Sequence, residues 1–149
     1  MNLARMRALG CALMTLIAIW ALPVAAQGPD GGPHLAMRLV AESDSPRSGG
    51  PVTLAIDTRP ATGWHGYWAN PGDAGFPASF EWTLPRGARI AGEVQWPVPT
   101  TLLIAGLMNY VYEAPYAPLV TLDVPPGLAP DTKLPIRLKT DYLVCTDSL

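Results

Sequence analysis

Val52-Thr53-Leu54-Ala55-Ile56-Asp57 alternates large apolar residues with small or polar ones, one for one. Side chains of an extended strand point to opposite faces at each step, so Val52, Leu54 and Ile56 make one apolar face. Alternation on one face only is the pattern of a half-buried antiparallel strand. The pattern recurs on both sides of this stretch. Leu35, Met37 and Leu39 share a face within 34–40, and Phe80, Trp82 and Leu84 alternate with Glu81 and Thr83. Ile90 to Trp96 reads as a further strand. Val120, Leu122 and Val124 line up within 119–124, and Leu134, Ile136 and Leu138 alternate with Pro135, Arg137 and Lys139. Leu102 to Tyr112 is apolar throughout and reads equally as strand or loop.

Between these runs the chain is punctuated by turn chemistry: Asp44 to Pro51, Pro85 to Gly87, Pro97 with Pro99, and Pro125-Pro126-Gly127 followed by Pro130. The 17 Pro and 14 Gly, set against only 15% charged residues, describe short strands joined by turns rather than helices. No segment after residue 26 carries a sustained helical period bounded by caps. About seven short strands at this spacing predict an all-β, immunoglobulin-like antiparallel β-sandwich. About 120 residues suffice for one core without several disulfides.

The N-terminus reads differently. Arg5 and Arg7 precede an uncharged apolar run, Ala8 to Leu22, closed by Pro23 and by Val24-Ala25-Ala26. That is the layout of a cleavable signal peptide over residues 1–26, leaving Gln27 as the new N-terminus. The run is short for a bilayer span, which needs about 20 residues. Cys11 falls inside it as a small apolar residue. Residues 27–33 are rich in Gly and Pro and read as a flexible leader, with the domain itself over 34–149. Without Arg5 and Arg7 the chain keeps 8 basic and 12 acidic residues, so it has no basic surface for nucleic acid or anionic membranes.

Few residues offer chemistry. Cys145 is the one cysteine after residue 26. An odd cysteine in an exported chain is either an incidental thiol or one kept for exchange. If the strand through Leu134, Ile136 and Leu138 runs on unbroken, Cys145 falls on the opposite, polar face with Arg137, Lys139 and Asp141. Gly63-Trp64-His65-Gly66-Tyr67-Trp68 is dense in rings, and Asn70-Pro71-Gly72-Asp73-Ala74-Gly75-Phe76 is turn chemistry. Its Trp residues read first as packing between sheets, and second as rings that stack on a protein or glycan. His34 and His65 are the only histidines. Without cysteines or carboxylates at ligand spacing they make no metal site, and His65 reads as a satisfied polar contact. No phosphate loop or nucleophile elbow is present, and no cofactor is called for.

Taken in order, several stretches resemble the N-terminal domain of the DsbD/ScsB-type thiol:disulfide interchange proteins. They are Gly63 to Tyr67 with Trp68, Asn70 to Gly75, Glu81-Trp82-Thr83-Leu84-Pro85, Gln95-Trp96-Pro97-Val98-Pro99, Asn109-Tyr110 with Tyr112-Glu113, and Asp141-Tyr142-Leu143-Val144-Cys145. The resemblance implies an immunoglobulin-like domain on the periplasmic side of the inner membrane, tethered there in the full-length protein. It implies electron transfer from a membrane-embedded domain, by way of a thioredoxin-like domain, to disulfide-containing periplasmic proteins. Cys145 matches the first cysteine of the family's exchanging pair, which makes it the catalytic residue. The second cysteine of the family follows a few residues later; this sequence reaches Leu149 without it and is expected to be a fragment. A non-catalytic binding or adaptor module, using the aromatic segment 63–76, is the alternative.

Overall fold

The structure is a computed structural model that describes residues 33–146. The expected signal peptide, nearly all of the expected leader and residues 147–149 lie outside that range. Ten strands make up the described chain: β1 (Leu35–Ala41), β2 (Pro51–Pro60), β3 (Trp64–Gly72), β4 (Ser79–Thr83), β5 (Arg89–Gln95), β6 (Thr100–Ile104), β7 (Leu107–Tyr112), β8 (Leu119–Asp123), β9 (Arg137–Asp141) and β10 (Val144–Thr146). One sheet runs β1-β2-β8-β5, a second runs β10-β3-β7-β6, and β4 pairs with β9. All pairings are antiparallel. The fold is the all-β, immunoglobulin-like sandwich that the alternation predicts.

The core follows directly from that alternation. Val52, Leu54, Ile56 and Thr58 are all buried along β2, while Thr53, Ala55 and Asp57 between them are not. On β8, Val120 and Leu122 are buried, followed by Val124, and the register sets Leu54 against Val120 and Val52 against Leu122. Each such side chain contributes roughly 1.5–3 kcal/mol on burial. Thr58 is the polar member of the row, and its hydroxyl donates to the Ile56 carbonyl at 2.9 Å, so burial leaves it satisfied. Trp82, Leu84, Leu134 and Ile136 pack against the same cluster.

Two stretches differ from the strand pattern. The segment 102–112 resolves into a hairpin, β6–β7, in which Ile104 faces Leu107 across the two-residue turn Ala105-Gly106. It reads ambiguously because Ala105 is not a turn former, although it adopts φ 50°. The second stretch is Leu134 to Leu138. Leu134 and Ile136 reach the core, yet strand pairing begins only at Arg137. Pro135 lacks the N–H that a ladder requires, so the chain lies against the core there without pairing.

Candidate functional site

The site is built on β3, where side-chain size decides what each face carries. Gly66 lies opposite Val144 on one side and Tyr112 on the other. A Cβ at Gly66 would fall 2.8 Å from the Tyr116 hydroxyl, so glycine here lets a ring close over the strand. Tyr116 stacks on Tyr112 with ring centroids 3.9 Å apart, and the stack continues through Trp96 to Phe80. The Tyr112 hydroxyl donates to the Pro97 carbonyl at 2.6 Å. Burial and the neighbouring Tyr116 push Tyr112 far up, and burial pushes Tyr116 up to about 12.

The alternate residues of β3, His65 and Tyr67, share the other face. β10 pairs with β3 so that Cys145 lies directly opposite His65, with Thr146 opposite Trp64. Residues opposite one another, and their diagonal neighbours two residues on, meet on the same face of a sheet. The register therefore brings Cys145, His65 and Tyr67 together. His65 has no exposed surface, and its Nε2 lies 3.3 Å from the Tyr67 hydroxyl. That hydroxyl lies close enough to the Cys145 side chain to interact with it. Tyr67 is pushed up to about 12, first by burial, then by the hydrogen bond to Cys145 and by its charge. It therefore keeps its proton through the neutral range and has an O–H to offer sulfur. Cys145 itself is half-buried and forms no disulfide.

The unbroken strand that would set Cys145 on a polar face with Arg137, Lys139 and Asp141 does not form. β9 ends at Asp141, opposite Ser79. Tyr142 and Leu143 then leave that ladder, and β10 joins a different sheet. The Tyr142 hydroxyl reaches the Leu35 carbonyl at 3.5 Å across this passage. A change of sheet resets the alternation, so Cys145 comes to lie beside buried groups rather than among charges.

The glycine-rich half of the motif holds Tyr67 from behind. Between the pairs Tyr67–Val111 and Gly72–Asn109, residues 68–71 of β3 bulge against Tyr110 alone. Asn70 Oδ1 accepts from the Gly72 N–H at 3.2 Å. Asp73 is tied twice to Met108, as donor through its N–H and as acceptor through Oδ2, each at 2.8 Å. Gly72 has φ +90°, and a Cβ there would collide with the Met108 carbonyl. Gly75, also at φ +90°, lies against the Tyr67 ring, where a Cβ would fall within 2.6 Å of three ring carbons. The turn thus delivers a residue without a side chain to the ring whose hydroxyl meets His65.

The two tryptophans of the motif are half-buried and engaged by rings of the same chain. Trp64 stacks on His34 at 3.6 Å, and Trp68 meets Tyr110 edge-on at 5.8 Å. Phe76, next to Gly75, is 72% exposed. Asn109 is buried and donates from Nδ2 to the Leu107 and Leu102 carbonyls, closing the β6–β7 hairpin. Among the described residues no group of His, Cys, Asp and Glu is arranged to hold a metal. Sequence reasoning identifies Cys145 and reads His65 as a satisfied contact. It places Tyr67 and Gly75 in the aromatic segment and the family motif but does not join them to Cys145; the signal that could have done so for Tyr67 is its parity with His65.

No curated protein matches the chain. Among solved structures, the N-terminal periplasmic domain of ScsB from Proteus mirabilis matches with a TM-score of 0.57 and 24% identity. The match covers 80% of this chain and 43% of that one, so the chain spans less than half of that relative's length, and at this identity the likeness is one of fold. The family described as thiol:disulfide interchange protein DsbD, N-terminal, matches residues 36–149, which takes in strands β2 to β10, the β3 motif and Cys145. The chain belongs to this family of DsbD N-terminal, thiol:disulfide interchange domains.

Proposed function

We propose that the domain performs thiol–disulfide exchange through Cys145 in the periplasm. There it relays electrons from a membrane-embedded domain, by way of a thioredoxin-like domain, to disulfide-containing proteins. The observation that carries this reading is the register that sets Cys145 opposite the buried His65 and on the same face of the sheet as Tyr67. The thiolate is the attacking species. In the exchange step the Cys145 thiolate attacks one sulfur of a partner disulfide. A Cys145–partner disulfide forms, the partner's S–S bond breaks, and its other sulfur leaves as a thiolate. Release requires a second thiol from outside residues 27–146. No cofactor or nucleic acid enters this chemistry. The engagement of Trp64 and Trp68 by His34 and Tyr110 weighs against a module that binds through those rings.

The test is to mix the reduced chain with an excess of an oxidised thioredoxin-like protein, quench with acid and weigh the products by mass spectrometry. The expected result is a mixed disulfide that maps to Cys145 and is missing in Cys145→Ser. A folded chain that forms no adduct at Cys145 refutes the reading.

A further inference from the structure

We propose that His65 is a positioning residue for Cys145: its buried Nε2 holds the Tyr67 hydroxyl in the orientation from which Tyr67 donates to the Cys145 sulfur. The inference rests on the exchange reading of Cys145 and deepens it.

The argument is one of hydrogen-bond polarity. A thiolate sulfur accepts and does not donate. Tyr67 has one hydroxyl proton, and when sulfur is charged that proton must go to it. The Tyr67 oxygen is then left as an acceptor toward His65 Nε2, 3.3 Å away. The bond is satisfied only if His65 presents Nε2–H, so the tautomer of His65 and the direction of the Tyr67 hydroxyl are set together. With the opposite tautomer Nε2 would compete with sulfur for the same proton. The imidazole is fully buried and its register position is fixed opposite Cys145, so it has no freedom to leave the tyrosine. The rings meet edge to face, with centroids 5.2 Å apart. Gly75 closes the third side by packing against the Tyr67 ring.

The charged residues of the neighbouring strands are directed elsewhere. β7 puts Asn109 and Val111 on the face it shares with Tyr67, and neither is charged. β1 and β2 adjoin β3, and their charged residues Arg38, Asp57 and Arg59 lie on the opposite parity from Leu35, Ile56 and Thr58. Those three charges pair with one another instead. Val144 and Thr146 flank Cys145 on β10.

The experiment measures three quantities at neutral pH in the full chain and in variants: the iodoacetamide alkylation rate of Cys145, the thiolate absorbance near 240 nm, and the ¹⁵N shifts of the His65 ring. Tyr67→Phe is expected to slow alkylation by ~10-fold, the scale of a lost hydrogen bond to a charged group. His65→Phe is expected to slow it by ~3-fold or more. The double variant should be no slower than Tyr67→Phe alone, because the two residues act in series. His65→Gln, which restores an N–H donor, should recover most of the rate, and the unmodified chain should show the Nε2–H tautomer. If His65→Phe fails to fold, His65→Asn replaces it, with an amide too short to span to Tyr67 and the same expected loss. A histidine variant that folds and alkylates at the unmodified rate overturns the proposal, as does an Nδ1–H tautomer or a double variant whose losses multiply. Mixed-disulfide formation is scored separately. Its absence in the unmodified chain overturns the exchange reading, whereas intact exchange with an unmoved alkylation rate in His65→Phe overturns the positioning role alone.

Discussion

Replacing Gly75 by alanine adds one methyl group where the structure has least room for it. The residue sits at φ +90°, a backbone region that costs an L residue roughly 1–2 kcal/mol. The new Cβ would lie within 2.6 Å of three carbons of the Tyr67 ring, whereas carbon pairs settle at about 3.5–4.0 Å. Tyr67 must therefore retreat by about 1 Å, and overpacking of this kind costs roughly 1–3 kcal/mol. The sum, about 2–5 kcal/mol, corresponds to a fall in Tm on the order of 10 °C for a domain of this size. The same retreat carries the hydroxyl away from Cys145, so alkylation of the thiol should slow together with the loss of stability. Thermal melting and urea titration of Gly75→Ala measure the first effect and iodoacetamide kinetics the second. Tyr67→Ala removes the ring that the methyl meets, so Gly75→Ala added to Tyr67→Ala should cost only the backbone part. A Gly75→Ala chain that melts within ~2 °C of the unmodified protein would refute the reasoning. So would a double variant whose two losses simply add.

Two further outcomes follow from backbone and burial. Ala105 occupies the first position of the β6–β7 turn at φ 50°, a conformation that asparagine tolerates better than alanine. Ala105→Asn should stabilise by about 0.5–1 kcal/mol and raise Tm by a few degrees, and an unchanged Tm would contradict the turn assignment. The second concerns alkaline pH. Tyr116 is held up to about 12 by burial, above the value near 10 of an exposed tyrosine. Above pH ~10 the unfolded chain gives up a proton that the folded chain keeps. The stabilising share of Tyr116 is thus complete below pH ~10 and is lost as pH rises toward about 12. The urea midpoint should fall over that window, and should fall less steeply in Tyr116→Phe. Equal slopes for the two proteins would show that Tyr116 is not the buried group described.

The core was legible because its signal is local. Val52, Leu54 and Ile56, and Val120, Leu122 and Val124, each declare a face within six residues, and burial follows that parity. The 102–112 stretch was not legible as a hairpin, because Leu102 to Tyr112 is apolar on both faces and its turn begins with alanine. The passage from β9 to β10 was hidden for a different reason. Alternation predicts a face only while a strand stays in one sheet, and Tyr142-Leu143 carries the chain from the β4 partner to the β3 partner. Tyr67 could not be joined to Cys145 from sequence, since their meeting is a product of long-range register and not of spacing. His65 shows the limit from the other side. Its type and neighbours indicated a satisfied polar contact, and the structure supplies a partner, Tyr67.

If Cys145 exchanges as proposed, its placement resolves two demands that oppose each other. Exchange needs a sulfur that another protein's disulfide can approach, and it needs fixed groups around that sulfur to hold its charge. A central strand provides fixed groups without access, while an exposed loop provides access without fixed groups. Here the two are divided between neighbouring strands. β3 is covered on one side by the Tyr112–Tyr116 stack closing over Gly66, and on the other it buries His65 and Tyr67, so its side chains have little freedom. β10, at the end of its sheet order among the described residues, contributes the thiol. Antiparallel register joins them at one pair, Cys145 with His65, and the diagonal from that pair leads to the Tyr67 hydroxyl. Moving Cys145 by one residue along β10 would turn its side chain to the face where Tyr116 lies over Gly66, away from the face it shares with His65 and Tyr67. The proposed chemistry therefore depends on strand register as much as on the presence of the cysteine.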